Sequence, residues 1–150
     1  MATTKYLARD LTIEVESDTP DVFLHIGGLN TLTHSPSTSR ADTTDFDSNG
    51  HDEHLVASRG ETWTLAGFSI EDVATGDRDE GQEQVEAIGK LIGLGGLGNF
   101  RITSPGGNVI LFEASAEVTL AGGGHNDAAA WQAVLTVNGA PEYVPAGASS

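Results

Sequence analysis

The sequence contains no cysteine, which excludes a disulfide framework, a thiolate metal site and a cysteine nucleophile together. Cations are scarce: 7 Lys and Arg stand against 22 Asp and Glu, a formal net charge of −15. Proteins that grip nucleic acid do so through clustered Lys and Arg on phosphates, so this balance argues against that class. The acidity reads as solubility or, more sharply, as a surface to which a polyanion does not stick. Long hydrophobic runs are missing as well, and nothing approaches the roughly 20 apolar residues that span a bilayer. The opening MATTKYLARDLTIEVES has no signal-peptide apolar core, so the expectation is a protein made and kept in the cytoplasm, without membrane insertion, unless a larger assembly carries it out.

Catalytic signatures are also absent. There is no G-x-S-x-G elbow and no H-E-x-x-H, and Glu113 and Glu117 share one strand face with nothing to mark a cleft between them. The chain reads as no enzyme and as needing no cofactor. Gly93, Gly95 and Gly98 spell G-x-G-x-x-G, but they close a helix and lead into a strand, the reverse of a dinucleotide loop. They read as a helix stop and connector. Asp45, Asp47, Asn49 and Gly50 open like a calcium-binding loop, yet Val56 occupies the place of the bidentate glutamate. What is left is a loose calcium set of Asp45, Asp47, Asn49 and Asp52, set against a plain Asp-Asn-Gly turn. His51 and His54 beside Asp52 and Glu53 read as solvated side chains before they read as a transition-metal site.

What is present is β-sheet patterning. The 150 residues suit one domain with appendages, 38% hydrophobic content is globular, and 19 glycines imply many turns. Leu11, Ile13 and Val15 alternate with Thr12, Glu14 and Glu16, and residues 22 to 28 follow as a second strand, the two joined in a hairpin across Ser17 to Pro20. From 29 to about 57 the pattern dissolves into small polar residues, with only Phe46 and Leu55 bulky and apolar; this predicts an irregular arm or loop that orders on a neighbour. Glu61 to Ile70 is a strand whose apolar parity switches at Gly67, which predicts a β-bulge keeping Trp63, Leu65, Phe68 and Ile70 all on the core side. Asp77 or Asp79 then caps a helix, with Glu80 or Gln82 as reciprocal partner; Val85, Ile88, Leu91 and Ile92 form its stripe and Gly93 its stop.

After a strand at Phe100 to Thr103 and a Pro105-Gly106-Gly107 turn comes the longest pattern in the chain. Ile110, Phe112, Ala114, Ala116, Val118 and Leu120 alternate with Leu111, Glu113, Ser115, Glu117 and Thr119, a strand about 40 Å long. The chain turns at Gly122, Gly123, Gly124 and Asn126 and returns through Trp131, Ala133, Leu135 and Val137. An exposed hairpin of that kind is an aggregation hazard unless assembly covers its edges. Residues from about 140 to 150 read as a short flexible tail.

The order of several segments resembles the major tail tube proteins of long-tailed bacteriophages, the actinobacterial-phage type especially. The resembling stretches are residues 43–50 leading to 53–56, Glu61 to Gly67, Asp79 to Glu83, Phe100 to Gly107, Phe112 to Ala116, and Gly122 to Asp127 before Trp131. The resemblance covers roughly residues 5 to 140. It implies a mainly β protein, a β-sandwich or barrel with one flanking helix. Six copies would form a ring, and rings would stack into a hollow tube with a continuous β-barrel lumen. It implies a virion tail assembled in the host cytoplasm. It also implies a tape-measure protein, tail terminator and distal tail proteins as partners, and DNA that passes without specific binding. On this reading Glu113 and Glu117 face the lumen, with Glu14 and Glu16 as further candidates. Asp42, Asp45, Phe46, Asp47, His51, Asp52 and Glu53 form an inter-ring arm. Two alternatives stand beside it: a monomeric β-sandwich binding module, which the 2 Trp, 2 Tyr and 5 Phe at mostly core-parity positions disfavour, and the tube of a contractile injection machine.

Overall fold

Alternation in the long strands decides the architecture. The computed structural model describes residues 3–147, in which the chain forms β1 (Thr12–Glu16), β2 (Phe23–His25), β3 (Leu29–Asp42), β4 (His54–Phe68), α1 (Glu80–Gly89), β5 (Leu97–Thr103), β6 (Val109–Ala121), β7 (Ala130–Val137) and β8 (Glu142–Val144). All strand pairings are antiparallel. They join into one sheet in the order β2-β1-β5-β6-β7-β4-β3, with β8 added beside β6. The mainly β fold with one flanking helix is as expected. Within it the strands hydrogen-bond as one continuous sheet rather than as two separate ones.

Each central strand sends its apolar residues to a single face. Ile13 and Val15, Phe100 and Ile102, Phe112 and Ala114, Trp131, Ala133 and Leu135, and Trp63 and Leu65 are all buried and form one cluster with Val85 and Ile88 of α1. Side chains from β1 and from β4, four strands apart, meet in that cluster only because the sheet curls on its apolar face. The aromatic rings mark the curl: Phe100 stacks on Phe112 at 5.6 Å between centroids, and Phe112 reaches Trp63 at 6.0 Å across the intervening β7.

The helix is fixed by its first turn. Asp79 is the N-cap and accepts from the Gln82 backbone N–H at 3.0 Å, while the same carboxylate oxygen accepts from Gly27 N–H at 3.1 Å. The Gln82 side chain does not complete a capping box. It is fully buried and donates to the carbonyls of Gly27 (2.9 Å) and Phe68 (2.8 Å), and its own oxygen accepts from Ile70 N–H at 3.4 Å. One amide therefore ties α1 to the end of β2 and the end of β4. Gly81 is required beside it, because a Cβ there would collide with the backbone of His25 and Ile26.

Five expectations are corrected. The stretch 29–57 is not an irregular loop: β3 pairs with β4 over almost its whole length, and only a short turn, with a 3-10 segment at Phe46–Ser48, separates them. Its pattern misled because the hairpin outruns the sheet. β7 stops pairing at Thr62, so residues 54–59 are exposed on both faces and nothing selects apolar alternation there. No bulge occurs in β4 at Gly67, where pairing with β7 runs unbroken through Gly67 and Phe68. The irregularity lies in β3, between Leu29 and Thr31, and Phe68 and Ile70 are exposed. Gly67 is small for another reason: the Gly28 carbonyl and Leu29 backbone occupy the space of a Cβ.

The helix ends at Gly89, short of Gly93, and Leu91 and Ile92 leave the stripe for solvent, with Ile92 94% exposed. The tail is in part structured, since β8 pairs with Val109–Leu111 of β6; residues 148–150 lie outside the described residues. Of the expected apolar face of β6, Leu120 is exposed, because it lies past the end of β5 near the open end of the strand.

Gln82→Leu keeps the side-chain volume but leaves two carbonyls and an N–H without partners. The expected cost is about 2–4 kcal/mol, a fall of roughly 5–15 °C in Tm for a domain of this size, read by thermal unfolding. An unchanged Tm would remove Gln82 from its role as the tie.

Candidate functional site

The same alternation that builds the core sorts the charges. In β1, β5, β6 and β7 the charged residues are Glu14, Glu16, Arg101, Glu113 and Glu117, and all five lie on the face turned away from the core. The four carboxylates singled out from the sequence are therefore brought to one surface. Arg101, which sequence reasoning passed over, belongs with them; its position between buried Phe100 and Ile102 was the available signal.

The carboxylates are not equivalent. Arg101 donates from Nε and Nη2 to the two Glu14 oxygens at 3.1 and 2.9 Å, and its guanidinium carbon lies 4.2 Å from the centre of the Phe23 ring. This bidentate pair cancels the charge of Glu14. Glu16 accepts from Asn99 Nδ2 at 3.1 Å and Glu113 from Asn138 Nδ2 at 3.0 Å, neutral partners that orient without neutralising. Glu113 and Glu117 are exposed. Three uncompensated carboxylates thus remain on this half of the face.

The other half is hydroxyl-rich and carries no charge. Ser115 of β6, Thr136 of β7, Thr62 of β4 and Ser35 of β3 stand in register as one row, and Thr64 opposite Thr33 begins the next. Such a surface holds no cluster of cations for a phosphate and no acid, base and nucleophile in concert. What it can do is stay hydrated and repel polyanions.

A second feature is the β3–β4 hairpin. Pro36 to Asp42 pair with Glu61 to His54 beyond the last β7 contact, so the hairpin projects roughly 23 Å from the sheet. At its base His34 stacks on Trp63 at 4.4 Å between centroids, and Glu61 Oε1 lies 3.5 Å from both His34 Nε2 and the Tyr143 hydroxyl. The Tyr143 phenol is pushed above its ordinary value by desolvation and then by the Glu61 carboxylate.

The tip gathers every residue expected of an arm: Asp42, Asp45, Phe46, Asp47, His51, Asp52 and Glu53. It is a built turn. Asp45 Oδ1 accepts from Asp47 N–H at 3.0 Å, buried Ser48 bonds back to Asp45, and Thr44 Oγ1 both accepts from Glu53 N–H (2.8 Å) and donates to the Glu53 carbonyl. The calcium set is not assembled there. Asp45 is engaged in capping, and among the described residues no three carboxylate or imidazole side chains converge as metal ligands. Gly93 takes a left-handed φ of 70° in the connector after α1, Gly98 leaves room for the Ile88 side chain, and Gly95 faces open space, so the first and last glycines serve the turn and the packing of α1.

No protein-family model and no curated protein sequence matches the chain. Solved structures do. The tail of an empty gene transfer agent particle, refined helically with C6 symmetry, is 23% identical, with a TM-score of 0.72 over 94% of this chain and 100% of that one. A chain from the virion of the native gene transfer agent particle gives 0.69 at the same identity and coverage. The six-fold symmetrised baseplate of the anti-feeding prophage gives 0.57 at 9% identity, over 98% of this chain and 100% of that one. This chain shares the fold of those subunits. A fold found in a C6 tail and in a six-fold symmetrised baseplate here presents one charged face, two open sheet edges and one projecting arm.

The arm tip has an acid response of its own. Asp42 is held below its ordinary value of 3.8, first by the hydrogen bond from the Thr44 backbone, then by the Thr44 hydroxyl and by His54. A depressed carboxylate stabilises the fold above its ordinary value and loses that contribution as pH falls through the lower folded value. Protection of the Thr44 amide against exchange, relative to its intrinsic rate, should drop below pH 3.8 while β6–β7 protection persists. Parallel loss in both places would deny the tip this response.

Proposed function

We propose that the chain is the structural subunit of a phage-type tail tube, which self-assembles into hexameric rings that stack around a DNA-conducting bore. The observation that carries this reading is the full-length likeness in fold to a tail refined with C6 symmetry. Two physical features support it. The sheet ends on both sides in strands with a free outer edge, β2 and the 14-residue β3, and a long free edge is a template for another chain. The hairpin projects without cover, and an isolated two-stranded hairpin is marginal in water unless something packs on it.

In this reading the outer face of β6 lines the bore, with Glu113 and Glu117 as its free charges and Glu16 beside them. Six copies at −15 each bring −90 to a ring, 6 × −15, and a bore carrying part of that charge lets DNA slide without binding. The hairpin tip bridges to the next ring. A tape-measure protein inside the tube, with terminator and distal tail proteins at its ends, are the partners such a tube requires, and the virion is its location. The actinobacterial-phage subtype belongs to this proposal as its finer form.

The likeness to the anti-feeding prophage baseplate favours a second reading, the tube of a contractile injection machine with a different cargo. The gene transfer agent structures match at higher identity and TM-score, which favours DNA.

Electron microscopy of the purified protein at rising concentration should show rings and then hollow filaments. Monomers persisting at every concentration would overturn the proposal. In particles, Glu113→Lys with Glu117→Lys should slow DNA release several-fold while tubes remain intact, because cations facing the bore hold phosphates. An unchanged release rate would take the β6 face out of the bore.

A further inference from the structure

Arg101 is the only Lys or Arg that β1, β5, β6 and β7 turn to the acidic face, and it is already occupied. Glu14, its register partner on β1, accepts from Nε at 3.1 Å and from Nη2 at 2.9 Å, while the guanidinium carbon lies 4.2 Å from the centre of the Phe23 ring. On the other side β6 places Leu111 in register with Arg101, so that strand sets no carboxylate directly opposite. Among the described residues Glu14 is its one ion-pair partner. The other oriented carboxylates of this face, Glu16 and Glu113, are held by the neutral amides of Asn99 and Asn138.

A guanidinium fork fits a phosphate as well as it fits a carboxylate, with two parallel hydrogen bonds in either case. Left free on a surface over which DNA slides, Arg101 would be a phosphate hook, repeated in every copy of a ring and in every ring of a tube. Glu14 stands against that. Fixed on the adjacent strand, it competes for the fork at an effective concentration that a passing phosphate does not match. Stability is a weaker reason for the pair, because the side chains stay 34% and 19% exposed and ion pairs left partly in water contribute little net free energy.

We infer that Glu14 is a positioning residue that holds Arg101 away from phosphodiesters, so that the one cation of the central strands does not brake a nucleic acid moving over them. Its role then differs in kind from that of its neighbours. Glu113 and Glu117 present free negative charge, whereas Glu14 presents none and acts through Arg101. This inference rests on the bore reading above and assigns within it the residue that keeps the surface free of phosphate hooks.

In soluble protein the probe is inorganic phosphate and the readout is the Arg101 Nε–H resonance. Glu14→Gln keeps the side-chain shape and removes the charge, and it should bind phosphate on the order of tenfold more tightly than wild type. Equal responses overturn the inference. Glu14→Thr, a stronger strand former, should give the same reading if Glu14→Gln loosens β1. In particles Glu14→Gln should slow DNA release several-fold at low salt, the delay should vanish as salt rises, and adding Arg101→Gln should restore the wild-type rate. A clasp that only fastened β1 to β5 predicts a double variant no faster than the single one, and that result also overturns the inference. Tighter phosphate binding by Glu14→Gln, with release unchanged both in it and in the Glu113 and Glu117 reversal, would keep the role of Glu14 toward phosphate and remove the face from the bore.

Discussion

A strand shows its side chains alternately to two faces, and in this chain only one of those faces is apolar. A flat sheet with one apolar face would leave half of that face in water. With a single ten-residue helix to cover it, the sheet must cover the remainder itself by curling. Phe112 is the pivot of the curl, touching Phe100 of the neighbouring strand on one side and Trp63 on the other, two strands away. The helix closes part of the remaining opening, and it can do so only because Gly81 and Gly98 let it approach and Gln82 satisfies the carbonyls that the approach desolvates.

The opposite face follows from the same constraint. Once apolar residues take one parity, every charge in the central strands is forced to the other, and the composition makes those charges mostly negative. Arg101 is the exception. It lies over Phe23 and is held by both oxygens of Glu14, so it cannot serve a phosphate without first breaking a bidentate pair. The one cation of these central strands is used to fasten β5 to β1, and their outer face remains acidic in effect.

Where burial follows a period, the sequence was readable: β1, β5, β6 and β7 and the N-cap Asp79 all lie where alternation and capping placed them. Where burial has no period, it was not. The projecting part of β3 and β4 has two wet faces, so its Thr and Ser show propensity but no pattern, and a regular hairpin looked like a loop. Gly67 misled in a different way. A glycine amid shifting parity suggested a bulge, whereas the actual cause is the close passage of the Gly28–Leu29 backbone at the start of the neighbouring strand, a long-range contact that one strand's pattern cannot reveal. Of the candidate site, the face of Glu113 and Glu117 was legible from parity, and the partners Arg101, Asn99 and Asn138 were not, because pairing depends on strand register.

An assembly of such subunits has to overcome its own charge. At physiological ionic strength the screening length is about 8 Å, so carboxylates on opposite walls of a bore wider than a DNA duplex scarcely sense one another. Repulsion is then a matter of adjacent subunits, and it falls on the face that the proposed contacts do not bury. The proposed contacts between copies lie elsewhere, at the open strand edges and at the projecting hairpin. Pairing at open edges would leave the face of Glu16, Glu113 and Glu117 uncovered, so its charge would not have to be desolvated for copies to cohere.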